Sequence, residues 1–160
     1  MNPCRVCGNH ALEVYLDLGQ TPLANAYLTP EEFAHEQWFE LAVAFCPECY
    51  LSQLTAVVPP ELMFEHYLYV SSTTWTFRQH CENLATSVVE RLQVHKPEML
   101  ALDIGSNDGC LLSCFARLGF RVVGVDPARN LAAEAIARGI DTITAYWGSD
   151  SVVDTILRTR

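Results

Sequence analysis

Residues 99–126 read MLALDIGSNDGCLLSCFARLGFRVVGVD, and this stretch decides the fold class of the second half of the chain. It opens with an apolar run, 99–104, of the kind found in buried parallel strands. A glycine-rich turn over 105–109 and a predicted helix over 110–118 follow. Residues 121–125 then predict a second strand that ends at Asp126.

The pattern continues beyond this stretch. Residues 131–138 predict a second helix, which Gly139 ends, and residues 140–145 predict a third strand. A further helix is expected to start near residues 149–151. This β-α-β-α-β order is one half of a doubly wound, Rossmann-like sheet.

The turn between the first strand and its helix indicates a ligand site, because glycines let the backbone bend sharply and let a ligand approach closely. A dinucleotide site uses G-x-G-x-x-G, but Asn107 replaces the second glycine and Cys110 stands where the third would be. An acid before the turn and another after the second strand suit a nucleoside that carries a sulfonium and no phosphate. We therefore expect S-adenosylmethionine (SAM), with a turn that binds nothing as the alternative. The candidate cofactor-binding residues are Asp103, Gly105, Ser106, Asn107, Gly109 and Asp126.

Two Cys-x-x-Cys pairs predict a structural zinc site near the N-terminus. Four thiolates from two such turns can surround one tetrahedral ion and leave no position open for water. The 38 residues between the pairs exceed the usual gap, so an insertion must loop out between them. His10 is an alternative ligand, and two unrelated buried pairs or one redox motif are alternative readings. The predicted ligands are Cys4, Cys7, Cys46 and Cys49.

The second cysteine pair also predicts a β-hairpin. Residues 39–45 alternate weakly, residues 51–58 form a second apolar run, and the turn between them is Cys46-x-x-Cys49. Residues 1–60 are therefore expected to form a small zinc-ribbon-like β module.

A helical connector is predicted over residues 61–96. Its apolar positions recur at helical spacing, and Thr73 or Thr74 is available as N-cap. Lys96-Pro97 is expected to be a hinge before an incomplete SAM-binding domain over 97–160. The apolar positions are Phe77, Cys81, Leu84, Val88 and Leu92.

The cysteines outside the two pairs have a structural interpretation. Cys81, Cys110 and Cys114 occupy helical positions, and the last two are four residues apart on one helix. We expect them to be buried as small apolar side chains.

Composition excludes several classes of function. The chain has 160 residues, 50% of them apolar, a net charge of −9 and a mean hydropathy of +0.12. This acidity argues against nucleic-acid binding. The longest stretch without charged residues, 18–30, is thirteen residues and contains two prolines, which is too short for a membrane span. No apolar signal-peptide core follows Met1, so a cytoplasmic location is predicted.

These motifs together resemble the zinc-binding sugar C-methyltransferases, and the resemblance covers essentially the whole chain. The resemblance implies a zinc module, a class I SAM-dependent methyltransferase domain and a C-terminal domain. It also implies methylation of a carbon of a deoxy-ketosugar linked to a nucleoside diphosphate. The motifs that carry it lie at residues 4–8, 18–25, 46–54, 64–72, 104–109 and 124–127.

The implied chemistry is proton abstraction beside a ketone, followed by attack of the enolate on the sulfonium methyl group. The family carries a tyrosine near the boundary of the zinc module, and the resemblance places it at Tyr67 or Tyr69. Packing between domains is an alternative role for both tyrosines. His80, on the following helix, is expected to be a surface or capping residue.

The sequence ends after the third predicted strand, whereas the family has a longer sheet and further motifs. We therefore expect an N-terminal fragment that is inactive alone. Its first strand would have an open apolar edge, which self-association or a completing chain could cover.

Two functions from other classes remain open at this point. One is a zinc-ribbon interaction module with a vestigial Rossmann half, which would need no SAM. The other is an NAD-dependent sugar-nucleotide oxidoreductase, which would bind NADH instead.

Overall fold

The computed structural model describes residues 2–93, 99–148 and 150–158. The chain divides into two compact units, Met1–Met63 and Phe64–Arg160. The predicted hinge at Lys96-Pro97 lies outside the described residues.

The first unit is built on an antiparallel sheet. Its strands are β1 (Glu13–Pro22), β2 (Trp38–Phe45) and β3 (Ser52–Leu54), in the order β1-β2-β3. The predicted hairpin is confirmed, with a second strand shorter than the expected 51–58. A 3-10 helix, Pro30–His35, lies between β1 and β2, and helix α1 spans Pro60–Phe64.

The core of the first unit is small. The buried apolar residues described here are Cys4, Ala42, Ala44 and Cys46. Gln53 and Thr55 are buried polar residues in this unit. Strand β1 has two register irregularities, and most of its residues are exposed. So few apolar side chains give the unit little hydrophobic stabilisation, and the cysteines form much of its interior.

The second unit contains the predicted β-α-β-α-β succession. Its strands are parallel, pair in the order β4-β5-β6, and are connected by helices. Helix α2 and a short 3-10 helix, Ser71–Thr73, precede them. The elements are α2 (Trp75–Leu92), β4 (Leu100–Ile104), α3 (Cys110–Arg117), β5 (Arg121–Val125), α4 (Arg129–Ala137), β6 (Thr142–Ile143) and α5 (Asp150–Arg158).

Helices cover both faces of this sheet. On one face, Val152 and Ile156 of α5 pack against Val123 and Val125 of β5. Another cluster joins α3 and α4 and contains Leu112, Ala135 and Ile140. The doubly wound arrangement expected from the sequence is therefore confirmed.

Helix α2 packs against α3 through small side chains. Cys81 and Ala85 of α2 meet Cys110 and Cys114 of α3, which confirms that these three cysteines are buried. The prediction was wrong at Leu84 and Leu92, which are exposed. Cys81 and Ala85 are the fully buried residues of α2, and the half-buried Phe77 packs beside them, so the buried stripe on α2 is narrow.

Strand β4 lies at the edge of the sheet formed by the described residues. Leu102 and Ile104 are 37% and 51% exposed, so this strand is less buried than its apolar sequence predicted. Within residues 2–93, 99–148 and 150–158, no helix combines the length and apolar character that a membrane span requires.

Candidate functional site

Four cysteine side chains converge in the first unit. The sulfurs of Cys4, Cys7, Cys46 and Cys49 all lie within 4.8 Å of one another. Sγ of Cys4 is 3.4 Å from that of Cys49, and Sγ of Cys7 is 3.6 Å from that of Cys46. A tetrahedral zinc ion with Zn–S bonds of about 2.3 Å separates its sulfurs by about 3.8 Å. The donor set therefore fits zinc, and His10 is not part of the converging group.

The two cysteine turns have the same backbone geometry. In each, the N–H of the first cysteine donates to the carbonyl five residues later at 2.8 Å. Its own carbonyl accepts from the N–H four residues later at 2.9 Å. That later residue has left-handed backbone, with φ of 75° at Gly8 and 63° at Tyr50. The repeated turn forms a ligand site, because it orients both thiols of each pair towards one point.

The thiols of the cluster differ in acidity. In each turn the backbone N–H of the second cysteine donates to the first, which lowers the pKa of Cys4 to about 6 and also lowers the pKa of Cys46. A backbone hydrogen bond at Asn9 favours the Cys7 thiolate, but burial and the neighbouring sulfurs raise the pKa of Cys7 to about 12. Four neighbouring thiols cannot all ionise without a cation, so the cluster has the chemistry of a metal site.

Gln53 connects the first cysteine turn to the sheet. Its buried side chain accepts from the N–H of Arg5 at 2.9 Å and donates to the carbonyl of Pro3 at 3.3 Å. The Arg5 guanidinium also donates to the carbonyl of Leu54 at 3.2 Å. These contacts hold the first turn beside β3; Gln53 lies in the motif at residues 46–54, but the sequence predicted no role for its side chain.

In the second unit, Asp126 organises the glycine turn. Its two carboxylate oxygens accept from the N–H of Asn107 at 2.7 Å and from the N–H of Ala128 at 2.8 Å. Each oxygen has two lone pairs, so each retains one for a ligand. The residue predicted to accept from ribose therefore also fixes the turn.

A cavity of about 350 Å³ lies at the carboxyl ends of β4 and β5. Gly105, Asn107, Asp126 and Tyr67 line it, four residues that the sequence singled out. Aromatic side chains contribute much of the remaining wall. The aromatic and aliphatic lining residues include Phe64, Ile104, Val125, Ala145, Tyr146 and Trp147.

The other predicted cofactor-binding residues occupy supporting positions. Ser106 is buried, and its hydroxyl would lie 2.5 Å from a Cβ added at Gly124 of β5. Gly109 is the N-cap of α3, with φ of 74°. Asp103 is half-buried on β4, and burial together with the charge of Asp126 raises the pKa of its carboxyl.

The two candidate tyrosines differ in position. Tyr67 is half-buried and lines the cavity, whereas Tyr69 is exposed and is not among the lining residues. Their rings are in edge contact, with centroids 6.5 Å apart. His80 is exposed on α2, where its ring contacts Phe77.

Comparison with known proteins supports the sequence analysis. Residues 4–64 match a protein family described as "Putative zinc binding domain". Over 151 residues, 94% of the chain, the sequence is 42% identical to the C-methyltransferase NovU of Streptomyces niveus. The predicted resemblance to C-methyltransferases is confirmed. The chain spans 36% of the length of this relative.

Solved structures of a magnesium protoporphyrin IX methyltransferase from Synechocystis PCC 6803 show a more distant likeness. The SAM-bound form is 18% identical, with a TM-score of 0.38 over 43% of this chain and 36% of that chain. The form with bound SAH is 16% identical, with a TM-score of 0.37 over 46% of this chain and 40% of that chain.

The structure adds residues to the site that the sequence analysis missed. Tyr146 and Trp147 follow β6, and the carboxyl ends of parallel strands meet at the same edge of a sheet. That rule could have indicated both residues. No local signal marked Asn130, whose carboxamide contacts the backbone of Tyr67.

Proposed function

We propose that this chain binds zinc and SAM as part of a SAM-dependent sugar C-methyltransferase. The observation that carries the proposal is a four-thiol cluster together with a cavity at a glycine turn, in a chain 42% identical to a C-methyltransferase.

In this proposal the four cysteines hold one structural Zn²⁺. Their sulfurs lie at spacings that a tetrahedral ion requires, and they leave no open position for water. The ion would therefore stabilise the first unit and would take no part in methyl transfer.

The cavity in the second unit is the proposed SAM site. SAM supplies an electrophilic methyl group when it is bound. Gly105 has no side chain and a φ of 79°, so the backbone can approach a ligand closely. Asp126 keeps free lone pairs for ribose hydroxyls, and Asp103 places a second negative charge on the neighbouring strand. Tyr67 offers a hydroxyl and a ring at the cavity wall.

The proposed acceptor is a carbon beside a ketone in a deoxysugar linked to a nucleoside diphosphate. Support comes from the motifs that resemble sugar C-methyltransferases and from the C-methyltransferase relative. The proposed role of Tyr67 is to face this acceptor, with Tyr69 as the second candidate.

Native mass spectrometry of the chain, purified without chelator, tests the two binding steps. We expect one zinc ion per chain and one SAM adduct when SAM is in excess. Asp126→Asn should weaken SAM binding about tenfold or more, because it removes the charge and one acceptor from the turn. Asp154→Asn is the matched control, because Asp154 is exposed on α5.

Other results would contradict particular parts of the proposal. A complex with NADH and none with SAM would indicate an oxidoreductase, and zinc without either nucleotide would indicate an interaction module. The acceptor is tested by titrating the SAM-loaded chain with a ketosugar nucleotide, and binding is measured instead of turnover because the chain spans 36% of the length of its C-methyltransferase relative. Saturable binding of the sugar nucleotide supports the sugar assignment, and bound SAM without sugar-nucleotide binding contradicts it.

A further inference from the structure

Two asparagine side chains hold the backbone of residues 65–72, which we call the strap. Asn130 accepts from the N–H of Tyr67 at 3.1 Å and donates to the carbonyl of the same residue at 2.7 Å. Asn107 accepts from the N–H of Ser71 and donates to the carbonyl of Tyr69, both at 2.9 Å. Each carboxamide thus offers one acceptor and one donor to the strap, as the backbone of a neighbouring β-strand would.

Two further hydrogen bonds fix the position of Asn107 in the glycine turn. Its N–H donates to Asp126, and its side-chain oxygen also accepts from the N–H of Asp108 at 2.9 Å. Its φ is 52°, a left-handed conformation that asparagine tolerates better than most residues. A glycine could adopt this conformation but could not hold the strap. This explains why asparagine occupies the position that is glycine in dinucleotide sites.

A third set of contacts fixes the start of the strap. The N–H of Arg129 donates to the carbonyl of Glu65 at 3.0 Å, and the two side chains form an ion pair at 3.1 Å. The strap is therefore attached to the first turn of α4 at two places and to the glycine turn at a third.

These attachments fix the backbone that carries the Tyr67 ring. Asn130 bonds both backbone polar groups of Tyr67, and the Tyr67 ring lines the cavity beside Phe64, with ring centroids 6.1 Å apart. Asn130 is not among the residues that line the cavity. Its side chain thus acts on the cavity through Tyr67.

We propose that Asn130 is a positioning residue for the methyl-donor site, which holds Tyr67 in the cavity wall and thereby sets the affinity for SAM. Asn107 is the second anchor of the same strap. The inference rests on the proposed function, because it assigns SAM to this cavity.

A double-mutant cycle measured by calorimetric titration with SAM tests the inference. Asn130→Ala should raise the Kd for SAM about tenfold, because it removes both bonds to the strap. Tyr67→Ala should raise the Kd by at least as much. If Asn130 acts through Tyr67, the double variant should bind no more weakly than Tyr67→Ala alone. Asn83→Ala is the matched control, because Asn83 is exposed on α2 and should leave the Kd unchanged.

Hydrogen exchange provides a second measurement that needs no ligand. In Asn130→Ala the Tyr67 amide should exchange faster, while amides of β5 keep their protection. If Asn130→Ala does not fold, Asn130→Asp carries the same tests with a smaller expected loss. It keeps the acceptor for the Tyr67 N–H and removes the donor.

The outcomes separate this inference from the proposed function. An unsubstituted chain that binds SAM, with an Asn130 variant of equal affinity, would overturn the inference and leave the proposed function intact. Independent, additive losses in the cycle would also overturn it, because they mean that Asn130 does not act through Tyr67. An unsubstituted chain that binds no SAM would overturn both.

Discussion

Asp108 and Arg138 form an ion pair in the second unit, in which the carboxylate is buried and the guanidinium is about half exposed. The Asp108 side chain is 0% exposed, and its carboxylate is 2.7 Å from the Arg138 guanidinium. Burial alone would raise the pKa of Asp108, but hydrogen bonds from Ser72 and Arg138 and the charge of Arg138 lower it below its usual value. The buried carboxylate therefore depends on its partner.

Arg138→Ala should lower the free energy of unfolding by about 3 kcal/mol, because it leaves a buried charge unpaired. Arg129→Ala is a matched control, because the Arg129–Glu65 pair has a similar length but is exposed. Its loss should stay below about 1 kcal/mol. Urea unfolding measures both, and equal losses would show that burial of Asp108 does not set the strength of the pair.

The same pair predicts an acid-dependent loss of stability. Because the folded-state pKa of Asp108 is lowered, its contribution is present above the unfolded-state pKa of about 3.9. The contribution is lost as the pH falls through the lower folded-state value. The free energy of unfolding, measured with urea from neutral pH to about pH 2, should therefore fall less on acidification for Arg138→Ala than for the unsubstituted chain. An unchanged loss would exclude Asp108 as its source.

The site residues that could be predicted from the sequence are those that a local sequence pattern marks. The cysteines were found by their spacing, and Asn107 and Asp126 by their places after strands. Gln53 contacts a residue 48 positions away, and Asn130 contacts one 63 positions away. No local pattern marks such a partner, so the contacts of these carboxamides become visible only when the chain is folded.

Among the elements, the two cysteine turns allow a direct comparison of backbone strain. Gly8 and Tyr50 occupy equivalent left-handed positions, with φ of 75° and 63°. A side chain at such a position costs about 1–2 kcal/mol. Tyr50 is exposed, although its ring contacts Phe45 with centroids 6.0 Å apart.

Glycine and alanine compared at both positions isolate this backbone cost. We expect Gly8→Ala to lower the free energy of unfolding of the zinc-loaded chain by about 1 kcal/mol. Tyr50→Gly should be more stable than Tyr50→Ala by a similar amount, since both remove the ring. Thermal unfolding measures the differences in stability. Equal stability of Tyr50→Gly and Tyr50→Ala would show that the two turns are not equivalent.

The boundaries of an element were predicted well where a glycine or an acidic residue stands close to it. Strand β5 spans Arg121–Val125 as expected, because Gly119 precedes it and Asp126 follows it. Strand β6 has two residues instead of the predicted six, and β3 has three instead of eight. The length of each of these strands depends on how many of its residues pair with the adjacent strand. The sequence of a single strand does not contain that information.

At the scale of the whole molecule, the two units differ in what stabilises them. The apolar clusters of the second unit join its helices and sheet. In the described part of the first unit, the buried apolar residues are two cysteines of the metal cluster and two alanines. A unit with so small a core needs a metal or another crosslink to fold.

Chelation should therefore unfold residues 1–63 and leave the second unit folded. We expect hydrogen exchange with excess EDTA to remove protection from β1 and β2, while β5 and α3 keep theirs. The proposed SAM affinity should persist in the same sample. Simultaneous loss of protection in both units would show that the second unit depends on the metal as well.

The four sulfurs also have a consequence for synthesis on the ribosome. Cys4 and Cys7 emerge among the first residues, whereas Cys46 and Cys49 emerge only after most of the first unit has been translated. During that interval the nascent chain presents two thiols without their later partners, and a free thiol without a bound metal is open to oxidation. Expression under reducing conditions with added zinc should therefore raise the yield of correctly folded chain more than a lower growth temperature does.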